Sequence, residues 1–298
     1  MTTAKLPSLR ALAGVAPAAG IIFCFLVLPL LFILLYSFMT PHPYGGVRWE
    51  FSIDAYRRFL FDRSLIGELE FTWTYLRIFG RSFSLAIVAT ILCVVIAFPV
   101  AYFMAMQPPE RQTLLVFLVT IPFWTNLLIR TYAWIMILRD SGLANQAMIW
   151  SGLIDEPIRM LYTNGAILLG LVYMYIPFMV LPIYAALSRL DLRLLEAAHD
   201  LYASRPRVLR EIVIPMAIPG ILAGCVLVFI PSIGNFIAPA LLGGGQNMMI
   251  GTLVQLQFGS GRNWPFGAAL ALILLTTVMI ILISIARSRA RRALEVGV

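Results

Sequence analysis

Long stretches without a charged residue divide the sequence into apolar and polar segments. Six such stretches run through Ala11–Val47, Ser82–Pro109, Gln112–Ile129, Met160–Ser188, Ile212–Gly261 and Asn263–Ala286. A helix needs about 20 apolar residues to cross the hydrocarbon core of a membrane. The pattern therefore predicts helices that span a lipid bilayer, and not the half-buried elements of a water-soluble domain.

Turn residues set the bounds of these helices. The segment Thr40–Gly46 is rich in Pro and Gly and ends the first span, while Pro239 and Gly243–Gly245 break the fifth stretch. We predict six spans in one all-α transmembrane domain covering residues 1–298, at 14–39, 82–106, 113–138, 164–187, 217–238 and 264–286. Lys5 and Arg10 before the first span resemble a signal peptide, but Gly14–Met39 is too long for its apolar region, which favours a retained helix.

The composition agrees with a membrane protein. Hydrophobic residues make up 61% of the chain and charged residues 12%, less than half the usual share of a soluble domain, and the mean hydropathy is +0.91. The formal charge of +8 comes from arginines between apolar spans, which favours anionic lipid over nucleic acid as the partner. Cys24, Cys93 and Cys225 lie far apart in apolar runs, so neither a metal site nor a disulfide framework is expected.

The basic residues also predict the orientation. An even number of spans places both termini on one side of the membrane. Short basic segments next to spans favour the cytoplasm, and Ser204–Arg210 and the cluster at 287–292 are of this kind. We therefore expect both termini to be cytoplasmic.

The loop between the fourth and fifth spans, residues 189–211, carries a helical pattern of its own. Leu190, Leu194, Ala197, Ala198 and Leu201 recur at helical spacing. Ser204 is placed to cap a second helix, with Pro206 in its first turn. Periodicity leaves two interpretations open: the apolar stripe docks into a groove of another protein, or it packs beneath the chain's own bundle.

The same loop resembles a known motif. Glu196-Ala197-Ala198, followed at the right interval by Ile212 and Pro215, is similar to the EAA loop of ABC importer permeases. In that family the loop is a coupling helix that inserts into a cytosolic ATPase. The segments that resemble the spermidine/putrescine-type permeases in particular are Pro122–Tyr132, Asp191–Glu196, Ala223–Pro231, Leu241–Gly244 and Arg262–Gly267.

The resemblance implies a fold, a function and a set of partners. The fold is the six-helix, type I ABC importer permease fold, and the chain is a transport subunit, not an enzyme, in a bacterial inner membrane. Its partners are two copies of an ABC ATPase subunit, a second homologous permease and a periplasmic substrate-binding protein, and the chain itself carries no cofactor or metal. The implied ATPase-coupling residues are Glu196, Ala197, Ala198, Asp200, Tyr202, Ala203 and Pro215.

Tyr202 departs from the family pattern, which has Gly six residues after the Glu of the motif. Gly accepts the positive φ of a tight turn, whereas Tyr is strained there. Either the turn is built differently, with Ala203 and Ser204 forming the bend, or Tyr202 itself reaches the partner.

The source of energy follows from what the spans lack. No Asp or Glu occurs in the six predicted spans, and Lys5, the only lysine, has no Gly-rich turn before it for a nucleotide phosphate. An ion-coupled carrier usually places carboxylates within its spans. The energy is therefore expected to come from a separate subunit. The alternatives are an ion-coupled secondary transporter, or an ABC permease for another small solute.

The route of the solute is less clearly marked. Polar and aromatic residues within or beside the spans that are candidates for it are Trp124, Asn126, Tyr173 and Asn235. Hydrogen bonding between helices is the favoured alternative for the two asparagines. For Arg130 we expect a place at the outer end of a span, where it snorkels to headgroups or pairs with a loop acid.

Overall fold

The computed structural model describes residues 17–18, 20–63 and 69–296 of the 298. Helices dominate these residues, and two short hairpins lie between the first and second long helices. The chain forms two compact units. One unit holds the described residues before Arg77 and after Leu253, and the other is Arg77–Leu253.

The first unit is built around two apolar helices and a pair of hairpins. Its elements are α1 (Gly20–Ser37), β1 (Met39–Pro41), β2 (Val47–Phe51), α2 (Asp54–Leu60), β3 (Phe61–Arg63), β4 (Leu69–Phe71) and the C-terminal helix, which begins at Trp264. Both hairpins are antiparallel, β1 with β2 and β3 with β4. Helix α1 packs against the C-terminal helix, and at its end the buried Ser37 Oγ donates to the Leu34 carbonyl oxygen at 2.7 Å.

The predicted turn after the first span is the loop of the β1–β2 hairpin. Gly45 and Gly46 adopt φ values of +98° and +88° there, a conformation that residues with a Cβ rarely take. The Pro- and Gly-rich sequence thus ends the span as predicted, and the chain returns as a strand.

The second unit contains most of the remaining helices. They are α3 (Thr74–Ala105, whose first residues belong to the first unit), α4 (Pro109–Trp124), α5 (Leu127–Leu138), α6 (Leu143–Trp150), α7 (Asn164–Leu187), α8 (Leu192–Asp200), α9 (Arg205–Gly234), α10 (Ile237–Leu242) and α11 (Ile250–Phe258, shared with the first unit). The C-terminal helix, α12, is Trp264–Val296.

Small residues allow the helices of the second unit to approach closely. A Cβ added at Gly220 would collide with the Pro182 carbonyl oxygen of α7, and one at Gly224 would collide with Met179. In a membrane the helices gain little from burying apolar surface against each other, so close packing at small residues stabilises their association. Gly220 and Gly224 thus allow α7 and α9 to form an extensive contact in the unit's core.

The predicted spans correspond to helices long and apolar enough to cross a membrane. Among the described residues, five single helices meet this description: Gly20–Ser37, Thr74–Ala105, Asn164–Leu187, Arg205–Gly234 and Trp264–Arg287. The sixth is a bent pair, because Pro109–Trp124 and the following helices Leu127–Trp150 meet at 84°. Residues 14–16 and 19 of the predicted first span lie outside the described residues.

Two differences from the prediction have local causes. The third span is broken at Thr125 and Asn126, which are extended, so the helix restarts at Leu127 with Asn126 as its cap. The fifth span begins much earlier than expected, at Arg205, because the second short helix of the loop continues into it through a π-helical stretch at Leu209–Val213.

Candidate functional site

Helix α8 carries the predicted apolar stripe of the loop, and most of the stripe stays exposed. Leu190, which precedes the helix, is buried at 7% exposure, and Leu195 beside the stripe packs against the core of the second unit. Leu194, in contrast, remains 48% exposed and Leu201, just past the helix end, 83% exposed. Ala197 is also exposed. Of the two interpretations left open by the periodicity, this geometry favours a surface that docks against another protein over packing beneath the chain's own helices.

The end of α8 has the long-range hydrogen bond of a Schellman cap. The Ala203 N–H donates to the Ala198 carbonyl oxygen at 3.0 Å, and the Leu201 N–H makes the last ordinary helical bond, to the Ala197 carbonyl oxygen, at 3.2 Å. In this motif the residue between Leu201 and Ala203 takes the left-handed conformation and is usually Gly. Tyr202 occupies that position with φ +56° and is 98% exposed.

Tyr202 therefore adopts the conformation that suits the Gly of the family pattern. The bend is not transferred to Ala203 and Ser204. The left-handed conformation costs a residue with a Cβ about 1–2 kcal/mol, and no contact of the described residues covers the Tyr202 ring. The loop thus keeps the family's turn, and the side chain points into solvent.

The second helix of the loop continues directly into a span. Ser204 lies at the N-cap position as predicted, with Pro206 in the first turn, although its hydroxyl makes no capping hydrogen bond. Arg207 Nε lies 3.1 Å from both carboxylate oxygens of Glu211 one turn later. Arg205–Gly234 is one helical segment of 30 residues, about 45 Å long, so no loop separates the second short helix from the span.

A small cavity separates the two short helices. Its volume is about 280 Å³, and its lining residues are Ala198, Leu201, Ala203, Arg207, Val208, Glu211 and Ile212. Of the seven implied coupling residues, Ala198 and Ala203 are half-buried at this cavity, while Glu196, Ala197, Asp200, Tyr202 and Pro215 are exposed. The structure thus brings six of them together around α8, with Pro215 farther along α9.

Two of the candidate solute-route residues lie at the break in the third span. Trp124 ends α4 and is 82% exposed, and Asn126 is exposed and caps α5, accepting from the Leu128 N–H through Oδ1 at 2.8 Å. Irregular backbone at membrane depth is tolerated only where protein or a water-filled cavity surrounds it. If the break lies within the membrane, protein or a water-filled cavity therefore covers it.

Asn235 is held in the interior by contacts of its own chain. It is 8% exposed; its Nδ2 donates to Tyr175 Oη at 2.9 Å and contacts Met174 Sδ, and its Oδ1 accepts from the Ala238 N–H at 2.9 Å. These contacts join α7 to the start of α10. The geometry is that of the hydrogen bonding between helices expected as the alternative to solute contact.

Tyr173 packs against Trp134 and Arg130, both of α5. Its ring meets the ring of Trp134 edge-on, with centroids 5.5 Å apart, and the Arg130 guanidinium lies 5.9 Å from its centroid. Arg130 Nε is buried and has no hydrogen-bond partner among the described residues. Arg130 therefore packs against α7 over the Tyr173 ring.

The first unit holds a second and larger cavity, which the sequence did not indicate. Its volume is about 530 Å³, and Asp54, Arg57 and Arg58 of α2 line it together with Asn263 and Phe266. The Arg58 guanidinium lies 5.4 Å from the centre of the Phe266 ring. Met39 and Pro41 of β1, Phe61 of β3 and Leu69 of β4 also line it.

Residues 97–295 match the family described as "binding-protein-dependent transport system inner membrane component". The chain belongs to this family. It is 42% identical over 260 residues to the spermidine/putrescine transport system permease protein PotB of Escherichia coli K12, an alignment that covers 87% of this chain and 90% of that protein. The Haemophilus influenzae protein of the same name is 39% identical over 259 residues, with coverages of 87% and 86%.

Solved structures show the fold of this permease. It superposes on a chain of the bacterial ABC transporter that imports the acidic polysaccharide alginate with a TM-score of 0.66, at 17% identity, covering 93% of this chain and 94% of that one. The same transporter in complex with its alginate pentasaccharide-bound periplasmic protein gives 0.68 at 15% identity, with coverages of 91% and 90%. The predicted all-α ABC importer permease fold is confirmed, and the chain is a transport subunit.

Proposed function

We propose that this chain is a permease subunit of an ATP-driven importer for spermidine and putrescine. The relatives at 42% and 39% identity bear the name of that transport system. A third relative, the spermidine/putrescine transport system permease protein PotC of Escherichia coli K12, is 34% identical over 119 residues, which cover 39% of this chain and 45% of that protein. The assembly then has two homologous permeases, two copies of an ATPase and a periplasmic binding protein that delivers the solute.

The exposed stripe of α8 is the observation that carries the coupling role. Leu194 and Leu201 have no place in the chain's own core, and burying apolar surface of this kind against a partner is favourable. We assign the ATPase contact to Glu196, Ala197, Ala198, Asp200, Tyr202, Ala203 and Pro215. Closure of the ATPase pair pulls on this surface, and the continuous helix Arg205–Gly234 transmits the movement to the fifth span.

We also propose that this loop and both termini lie on the cytoplasmic side of a bacterial inner membrane. The basic segments at 204–210 and 287–292 support it. A single cysteine introduced at Ser204 in a chain without Cys24, Cys93 and Cys225 tests it. We expect an impermeant maleimide to label inverted vesicles and not intact spheroplasts, and labelling of intact spheroplasts would refute the orientation.

The solute route follows the break in the third span, past Trp124, Asn126 and Tyr173, with Asn235 fixing the neighbouring backbone. Exposed polar backbone at Thr125 and Asn126 supports this path. No cofactor or metal on this chain is needed, because the ATPase supplies the energy and the binding protein selects the solute.

Charge changes in the loop test the function. Glu196→Lys and Ala198→Glu should abolish uptake of labelled spermidine in proteoliposomes that contain the whole assembly, while membrane insertion is unchanged. Glu50→Lys in β2 makes the same charge change outside the loop and should leave ATPase capture intact. Normal uptake by either loop variant would refute the coupling role of the loop. Uptake of an acidic sugar in place of spermidine would refute the assignment of polyamines as the solute.

A further inference from the structure

The larger cavity, of about 530 Å³ in the first unit, lies where two membrane spans end. Helix α1 ends at Ser37, and Met39 in the strand that follows lines the cavity. Helix α12 begins at Trp264, and Phe266 in its first turn also lines the cavity. Both helices are long and apolar enough to cross a bilayer, and such a helix ends near the headgroups. The cavity therefore lies at the headgroup level of one leaflet.

Aromatic side chains beside the cavity support this placement. The ring centroid of Tyr36, in the last turn of α1, lies 6.4 Å from that of Trp264 and 6.5 Å from that of Trp49 in β2. Trp and Tyr concentrate where hydrocarbon meets headgroups, because each combines an apolar ring with a polar N–H or O–H group. The contacts between these three rings bring the β1–β2 hairpin to the level at which the two spans end.

The polar part of the cavity wall carries a net positive charge. Asp54, Arg57 and Arg58 of α2 line it, so two guanidiniums accompany one carboxylate. Asp54 Oδ1 lies 4.0 Å from Arg57 Nη1, and both side chains of this weak pair are exposed. Neither of the two salt bridges among the described residues involves Arg58. One positive charge of the wall is therefore without a counter-charge in this part of the chain.

Phe266 limits the positions that the Arg58 side chain can take. The guanidinium lies 5.4 Å from the centre of the Phe266 ring. That ring is 1% exposed and meets the Tyr75 ring edge-on, with centroids 5.0 Å apart, so it is a fixed surface. Contact with an aromatic face orders a guanidinium without using its N–H donors in hydrogen bonds to oxygen. Two parallel N–H donors of this kind suit two oxygens of a phosphate group.

We propose that this cavity binds the headgroup of an anionic phospholipid, with the phosphate at Arg58. A phosphodiester carries a single negative charge, which balances the net charge of the wall. The glycerol headgroup of phosphatidylglycerol adds no charge, whereas the ammonium of phosphatidylethanolamine would restore a positive charge beside two guanidiniums. Basic pockets at span ends bind lipid headgroups by this chemistry. The volume of about 530 Å³ also falls within the range of about 300–1,000 Å³ that is usual for small-molecule sites.

The apolar surface next to the cavity suits the acyl chains of the same lipid. Phe61 and Leu69 in the cavity wall are exposed, and so are Leu31, Leu34 and Leu35 in the last turns of α1. Acyl chains that leave the cavity along α1 cover this surface. The bound lipid then ties α2 and the two hairpins to the ends of α1 and α12, and this role does not depend on which solute the transporter carries.

The test counts tightly bound lipid on the complete transporter that contains this chain. The complex is purified in detergent, washed free of loosely bound lipid and supplied with dioleoyl-phosphatidylglycerol, and native mass spectrometry gives the number of lipids retained. We expect Arg58→Gln to retain one lipid fewer per copy of this chain and to bind it about tenfold more weakly, because a charge-assisted hydrogen bond is lost. Arg48→Gln removes the same charge from β2, outside the cavity, and should match the parent.

Asp54→Asn should have the opposite effect. It removes the carboxylate that repels phosphate and competes for the guanidiniums, so we expect about two- to fivefold tighter binding of phosphatidylglycerol. Dioleoyl-phosphatidylcholine, which has no net charge, should not replace the lipid at this site. Inorganic phosphate at the same concentration should not displace it either, because it lacks acyl chains.

Equal retention of phosphatidylglycerol by Arg58→Gln and the parent would overturn the proposal. Displacement by inorganic phosphate would overturn it as well and would show a site for a free anion. If Arg58→Gln keeps its lipid but captures less of the binding protein, the occupant is an acidic side chain of that protein and not a phospholipid.

Discussion

Replacing Tyr202 by Gly tests two properties of the coupling loop independently: the stability of its turn and its binding to the ATPase. Tyr202 sits at φ +56°, where the left-handed conformation costs about 1–2 kcal/mol. Gly removes that cost, but its greater conformational entropy stabilises the unfolded loop by about 0.4–1 kcal/mol. At the midpoints of these two ranges the loop end is stabilised by about 0.8 kcal/mol, equivalent to a roughly fourfold change in its opening equilibrium.

The assay for the conformation is hydrogen exchange at one amide. The Ala203 N–H donates to Ala198 only while the cap is closed, so its protection reports the opening of this turn. We expect roughly fourfold slower exchange in Tyr202→Gly than in the parent, and faster exchange in Tyr202→Val, whose branched side chain is least tolerant of positive φ. Unchanged or faster exchange in the Gly variant would refute the left-handed assignment.

The same substitution has the opposite effect on docking. The Tyr202 ring is 98% exposed beside Leu201, and a Tyr buried at an interface commonly contributes 2 kcal/mol or more. Tyr202→Gly should therefore weaken capture of the ATPase by at least about tenfold although the free loop is more stable, and Tyr202→Ala should do the same without stabilising the loop. Tyr202→Phe keeps the ring and should bind normally. Equal capture by the Gly variant and the parent would show that the ring makes no contact with the ATPase.

Three further substitutions test the packing. Gly220→Val places a side chain against the Pro182 carbonyl of α7, so we expect loss of folded protein in fluorescence size-exclusion chromatography; an unchanged profile would contradict the close helix contact. Ser204→Ala should change the melting temperature in detergent by less than about 1 °C, because the hydroxyl makes no capping hydrogen bond. Loss of a capping hydrogen bond would instead destabilise the protein by about 1 kcal/mol. Asn235→Leu leaves the Ala238 N–H and the Tyr175 hydroxyl without their partner and should lower the melting temperature by several degrees; spermidine binding lost at an unchanged melting temperature would instead indicate direct solute contact.

The membrane fold could be read from the chain because its determinants are local and repeated. Each span is a stretch of residues that must be apolar to lie in hydrocarbon, and the Thr40–Gly46 turn is rich in Pro and Gly. The amphipathic period of residues 190–201 likewise determines a short helix with one apolar face. None of these features depends on which helix lies next to which.

The environments of individual side chains depended on contacts between distant segments, which the sequence alone did not determine. Whether the loop's stripe was buried or exposed, whether Tyr202 or its neighbours formed the bend, and whether Asn235 met solute or another helix were each decided by tertiary packing. Arg130 shows the reason most clearly. Hydropathy places it near a span but does not specify its depth, because depth depends on the break at Thr125 and on the neighbouring Tyr173, which is 43 positions away in the sequence.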